Sequence, residues 1–268
     1  MIQDKARVII IGGGVIGCSV AYHLSKLGWN DIVLLERKQL TSGTTWHAAG
    51  LIGQLRASAN MTKLAKYTQE LYFDLEKETG VSTGFKRVGS ISVALTNERM
   101  EELKRSAAMA RAFGVDVEEI SPREIKNRYP HINLERIVGG VFLGKDGQGD
   151  PANIALALAK GARQEGAKIY EGVTATKIFK NQNKVTGVEW TNRHGESGRI
   201  SCEEIVNCAG MWGHSVGKML GTNIPLHACE HFYIVTEPIA ELTQLPVLRV
   251  PDECCLLYTS DAADESVC

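Results

Sequence analysis

The chain has 268 residues, 44% of them apolar and 23% charged, with 30 basic side chains against 31 acidic ones. A formal net charge of −1 without any basic block excludes nucleic acid and anionic membrane as natural partners and leaves a small molecule as the expected substrate. No apolar run reaches the length of a membrane span and the first strand starts within a few residues of Met1, so neither anchor nor leader is expected, and the location read from sequence is cytoplasmic.

The first predicted strand, Arg7 to Ile11, runs into Gly12-Gly13-Gly14-Val15-Ile16-Gly17, and a second, Ile32 to Glu36, closes a βαβ unit. This is a dinucleotide-binding pattern in its proper context. Gly12 permits a tight bend, Gly14 lets backbone amides approach a pyrophosphate, and Gly17 lets the helix pack closely on the sheet. The helix N-terminus adds about half a positive charge and unpaired N–H groups. Glu36 is placed to accept hydrogen bonds from ribose hydroxyls, and its charge repels a 2′-phosphate, so FAD or NAD is expected rather than NADP. The helix itself, Val15 to Lys26, is expected to turn Val20, Leu24 and Leu27 inward and to stop at Gly28.

Thr41 to Gly50 is a polar, small-residue stretch suited to a loop whose hydroxyls and amides face an anion. Met61 to Thr79 is predicted as an amphipathic helix with Met61, Leu64, Leu71 and Leu75 on its apolar side. Gly89 to Leu95 alternates like a half-buried strand, Glu98 to Phe113 reads as helix, and Ser121-Pro122-Arg123-Glu124 is a capping box with proline at the first helical position. Residues from about 80 to 150 thus form an insertion with its own antiparallel sheet. Pro151 then opens a helix with Ile154, Leu158 and Ala162 inward, ending near Gly166. Strands follow at Lys168 to Glu171 and from Val173, then a hairpin with loops at Asn181 to Asn183 and Asn192 to Gly198. A buried strand beginning at Glu204 ends in Cys208-Ala209-Gly210, where Gly210 lets backbone approach a cofactor.

Seven cysteines without a CxxC pair argue for reduced thiols rather than a disulfide framework or a zinc ribbon. His227-Ala228-Cys229-Glu230-His231 could converge on a metal from one face of a strand, but a strand beside a cofactor explains the same residues, and no metal is expected.

Several segments together carry a family likeness: Gly43-Thr44-Thr45-Trp46-His47-Ala48-Ala49-Gly50-Leu51, Asp150-Pro151, Val206-Asn207-Cys208-Ala209-Gly210 with Trp212, His231-Phe232-Tyr233-Ile234-Val235-Thr236 and Leu245-Pro246-Val247-Leu248-Arg249. In these the chain resembles the FAD-binding part of the sarcosine and dimethylglycine dehydrogenases, within the D-amino-acid-oxidase-like flavoproteins. Leu51 to Arg56 is more similar to the sarcosine enzymes. The resemblance implies an α/β fold in which a Rossmann-like βαβ FAD domain (about 1–80, 151–175 and 200–222) carries an antiparallel-sheet substrate portion (about 81–150 and 223–254).

The same resemblance implies cofactor contacts from Gly12, Gly14, Val15, Ile16, Gly17, Glu36, Arg37, Ser42, Thr44, Thr45, Leu51, Val173, Ala209 and Gly210. It makes His47 the covalent attachment to the 8α-methyl of the flavin, against the plainer reading of a histidine that packs beside the ring. It makes His231 the catalytic histidine beside the substrate, where an ordinary imidazole pKa near 6.5 suits it to bind a carboxylate or tune an amine's protonation. Arg249 either steers a carboxylate or is a solvated arginine. The implied activity is oxidative demethylation of sarcosine or dimethylglycine, with hydride passing to flavin N5 and electrons going on to an electron-transfer flavoprotein or to oxygen. The alternatives on this scaffold are another amine or amino-acid oxidase, a glycerol-3-phosphate-type dehydrogenase, or a catalytically silent flavin-binding regulatory subunit.

Beyond Cys254 the chain departs from the family pattern. Residues 255–268 resemble translated read-through, so a truncated gene with a frayed, non-native tail is expected, and Tyr258 does not stand for the family's active-site tyrosine.

Overall fold

A computed structural model describes residues 2–237, 239 and 244–257. In chain order it begins with β1 (Val8–Ile11), α1 (Val15–Lys26) and β2 (Ile32–Glu36), the expected βαβ unit. Next come β3 (Leu51–Ile52), α2 (Ala59–Thr79), β4 (Ser90–Ala94), α3 (Asn97–Ala112), β5 (Glu118–Ile120), α4 (Pro122–Arg128), β6 (Gly139–Leu143) and β7 (Gly147–Gln148). The chain continues through α5 (Pro151–Gln164), β8 (Lys168–Glu171), β9 (Val173–Asn181), β10 (Lys184–Asn192), β11 (Ser197–Ser201) and β12 (Glu204–Asn207) to α6 (Gly213–Lys218), β13 (Val247–Val250) and β14 (Cys255–Leu257). Local chemistry sets several helix starts. Thr96 caps α3 by accepting from Arg99 N–H at 3.1 Å, Ser121 and Glu124 form the capping box of α4, and Asp150 caps α5 through Asn153 N–H at 2.9 Å.

Two units share the chain. The first comprises Met1–Ala48, Asp74–Thr83 and Asp150–His231. Its four-stranded sheet runs β12-β1-β2-β8, parallel throughout, with Ile9 opposite Ile205 on one side and Val33 on the other. Ile9, Ile11, Val33 and Leu35 share a core with Val173, Ile178, Val188, Trp190 and Ile200 of the three-stranded sheet β11-β10-β9. That shared core is why 176–199 belongs with this unit. The period of two leaves Ile10 and Leu34 for the helix-covered face, and β1 is buried on both sides. Each such buried isoleucine stabilises the fold by about 1.5–3 kcal/mol.

The inner face of α1 differs from the expected one. Cys18, Ala21, Tyr22 and Ser25 are buried, whereas Leu27 is 76% exposed. α1 lies so close to α5 that a Cβ on Gly161 would stand 2.7 Å from the Tyr22 ring, and small side chains line that contact. In α5 the expected Ile154, Leu158 and Ala162 are buried. β12 is not the buried strand expected from Glu204. It is a half-exposed edge strand that gives way to a short 3-10 turn at Gly210–Trp212.

The second unit comprises Ala49–Phe73, Gly84–Gly149 and Phe232–Cys268. Its main sheet, β14-β13-β4-β6-β5, is antiparallel except where β13 lies parallel to β4. β4 is buried on both faces instead of alternating, because it is an interior strand of that sheet. Within this unit α2 does not bury Met61 and Leu64, which are 52% and 55% exposed; it buries Thr62, Ala65 and Gln69. The inner line is polar because Gln69 accepts from Gln54 Nε2 at 2.7 Å and donates to Lys145 O at 2.6 Å. Asp146 lies in the same buried network, accepting from Gln54 N–H and Ser90 Oγ, and burial raises its pKa. Of the tail expected from residue 255, 255–257 form β14, and 258–268, including Tyr258, lie outside the described residues. Among the described residues no helix is long and apolar enough to cross a membrane.

Candidate functional site

The glycine turn after β1 is shaped by contacts that leave no room for side chains. Gly12 has φ +113°, and a Cβ there would stand 2.3 Å from the Cys208 carbonyl oxygen at the end of β12. A Cβ on Gly17 would come within 1.9 Å of Gly12 O, and one on Gly14 within 2.9 Å of Thr45 Oγ1. Hydrogen alone fits at these places. Gly13 belongs with them, since its Cβ would meet Leu40 and Glu36 at 2.7 and 2.8 Å. The motif reading assigned no role to Gly13, and only the fold of the later loop supplies one.

α1 begins at Gly14 without a side-chain cap of its own, so the positive end of the helix faces outward at Val15 and Ile16. Thr45 supplies one acceptor, taking the Val15 N–H at 2.9 Å. Ile16 is 63% exposed. Glu36 accepts from Gly13 N–H at 2.7 Å and from Lys38 N–H at 2.8 Å, using two of about four lone-pair positions and keeping capacity for hydroxyl donors. The loop after β2 is fastened down at several points. Thr41 N–H donates to Gly13 O at 3.0 Å, Leu40 N–H to Glu171 Oε1 at 2.7 Å, and Gly172 N–H to Lys38 O at 2.7 Å. The buried Val173 follows directly on Gly172 at the start of β9.

Ser42 and Thr44 are exposed on this loop, while Thr45 is buried. A Cβ on Gly210 would stand 3.8 Å from Thr44 Oγ1, so the half-buried Ala209 and the exposed Gly210 lie beside the same loop. Trp212 is a residue that sequence reasoning left without a site role. Its ring stacks under the Arg37 guanidinium at 4.1 Å and touches Gly43, where a Cβ would be 3.3 Å away. The Trp-Gly spacing in sequence carries no signal of that contact. Trp46 and His47 stack ring on ring at 3.7 Å between centroids, tilted by 33°, and both are exposed. Two thiols line the turn from inside. Burial pushes Cys18 up to about 12 and raises Cys208, so both stay neutral and add no negative charge beneath an anion.

Other expected residues belong to other elements of the chain. Leu51 lies in β3 of the second unit, paired with Gln148. Arg249 is an exposed residue of β13. His231 was expected on a strand, but the described residues between α6 and β13 contain none, and His227, Cys229 and His231 are all exposed. No group of three or more His, Cys, Asp or Glu among the described residues could hold a metal.

The cradle fits the phosphate and ribose end of a dinucleotide: a side-chain-free turn, a helix start with a glycine at its cap position, and a carboxylate at the end of the second strand. Comparison with known proteins agrees. Residues 7–266 match the family described as FAD dependent oxidoreductase. The chain is 43% identical over 87% of its length to the mitochondrial pyruvate dehydrogenase phosphatase regulatory subunit of Mus musculus, covering 26% of that protein. It is 40% identical over 94% of its length to the mitochondrial sarcosine dehydrogenase of Homo sapiens, covering 28% of it. The chain therefore spans little more than a quarter of the length of these relatives. Among solved structures, L-proline dehydrogenase from P. horikoshii superposes with a TM-score of 0.83 at 24% identity, over 97% of this chain and 68% of that one, which shows a shared fold. The expected cytoplasmic location is overturned by these relatives, which are mitochondrial proteins. A near-neutral amino-terminal region carries no signal of that.

Proposed function

Because the chain belongs to the FAD dependent oxidoreductase family, we propose that it is the flavin-binding part of an oxidoreductase that demethylates a small N-methyl amino acid, sarcosine or dimethylglycine. The observation that carries this reading is the glycine turn interlocked with the loop bearing His47. When bound, FAD supplies the two-electron acceptor at its N5. Every other task falls to residues of the chain. The α1 amides and the Thr45 hydroxyl hold the diphosphate, Glu36 accepts from the ribose hydroxyls, and Arg37, Ser42, Thr44, Val173, Ala209 and Gly210 line the remainder of the cofactor. His47 would be the residue that anchors the flavin covalently, through a nitrogen of its imidazole. His231 holds the substrate carboxylate and keeps the amine lone pair free, and Arg249 assists in steering. The electrons leave to an electron-transfer flavoprotein or to oxygen.

Acid denaturation of flavin-supplied protein tests the anchor. Yellow colour should stay with the polypeptide and be lost to the supernatant in His47→Ala; free flavin from the unmutated chain rules the anchor out. Anaerobic addition of sarcosine, dimethylglycine, D-amino acids and polyol phosphates tests the substrate, bleaching by the N-methyl amines alone being the expected result. The likeness to a phosphatase regulatory subunit favours a second reading, a flavin-binding subunit without turnover. On that reading flavin binds and no amine in the panel bleaches it.

A further inference from the structure

The loop that carries His47 is fastened to the start of α1 by one side chain. α1 opens at Gly14, which can offer no cap. Thr45, distant in sequence, takes that place: its Oγ1 accepts the Val15 N–H at 2.9 Å and stands 2.9 Å from where a Gly14 Cβ would be, and the residue is only 7% exposed. An alanine at 14 would therefore push Thr45 off the helix. Ala48 N–H in turn donates to Thr45 O at 3.1 Å, closing the tight turn that holds Trp46 and His47 stacked on each other. The turn is thus built on the residue that caps the helix.

We propose that Thr45 is a positioning residue, a cap supplied from a distant loop that registers the His47 turn against the anion-binding end of α1. The proposal rests on the reading of His47 as the flavin anchor and adds how it is held. Thr45 has one proton to donate and has used its oxygen as an acceptor toward Val15 N–H. The proton is left for an oxygen of a diphosphate docked on the same helix end. One hydroxyl thereby links occupancy of the cradle to the placement of the ring that must reach the flavin methyl. Val15 N–H is an orphan amide of the first turn, and its partner comes from the loop rather than from the helix's own cap position.

Amide hydrogen exchange on the flavin-free chain tests the link directly. In Thr45→Val, peptides covering Gly12 to Val20 and Thr41 to Ala48 should both exchange roughly fivefold faster or more, and Thr45→Ser should restore both. Unchanged exchange in Thr41 to Ala48 overturns the proposal. At saturating FAD, Thr45→Val should also gain acid-stable colour roughly tenfold more slowly than the unmutated chain, with Thr45→Ser indistinguishable from it. Equal rates in the valine variant overturn the positioning role. An unmutated chain that binds FAD and never holds it through acid overturns the anchor instead, and the exchange result still decides the role of Thr45 as a cap.

Discussion

The glycine turn and the segment 223–246 each carry residues implied in function, yet they are built in opposite ways. Around the turn, backbone meets backbone: Gly12 against Cys208 O, Gly17 against Gly12 O, Thr41 N–H on Gly13 O. In the described part of 223–246, Phe232 and Ile234 are each 91% exposed and His231 stands on no strand. The second region holds a strand-like apolar sequence, His231 to Thr236, that forms no strand among the described residues. The turn is shaped by close backbone contacts, whereas the described part of 223–246 leaves large apolar side chains exposed.

Substitutions can break that contrast or sharpen it. The largest effect is expected from Gly17→Ala, whose added methyl would lie 1.9 Å from Gly12 O; we expect a loss of about 3 kcal/mol or more in urea unfolding together with loss of flavin binding in titration. Thiol chemistry should separate the two regions next. Cys229 is exposed, whereas burial pushes Cys18 up to about 12, leaving about one part in ten thousand as thiolate at pH 8. Mass mapping after brief alkylation should find Cys229 modified and Cys18 not, with Cys18 labelling rising only with denaturant or strongly alkaline pH. Ile9→Ala, at a position with no exposed surface, should cost about 2–5 kcal/mol in the same unfolding assay. The smallest effect belongs to Ile234→Ala, which should change stability by no more than about 0.5 kcal/mol. A cost near that of Ile9→Ala would show that Ile234 is packed in solution and erase the contrast.

What sequence reveals follows the same division. β1, α1, β2 and the capping box are legible because their causes are local: β-branched runs, glycines at fixed offsets, Ser121 three residues before Glu124. The burying face of α1 is misread because apolar spacing favours Val20, Leu24 and Leu27, while the close approach of α5 at Gly161 selects Cys18 and Ala21. β4 alternates in sequence and is nonetheless buried on both faces, since its neighbours in the sheet come from β6 and β13, far along the chain. Two features of the site have no sequence signal: Thr45 capping a helix that ends nineteen positions before it, and Arg37 stacking on Trp212. Each is a contact between segments that periodicity treats separately. The strand expected at His231 is a further difference, because an alternating pattern becomes a strand only when a neighbouring strand pairs with it.

The placement of β1 between β2 and β12 also dictates when this protein can fold. Val8 pairs with Ile32 almost at once, but its other neighbour, Glu204, emerges from the ribosome roughly 200 residues later. Until then the hydrophobic flank of β1 stays open, and its glycine turn lacks the Cys208 carbonyl that presses on it. The cofactor cradle can close only after synthesis has passed Cys208, and the order of synthesis thus separates the making of the turn from its completion.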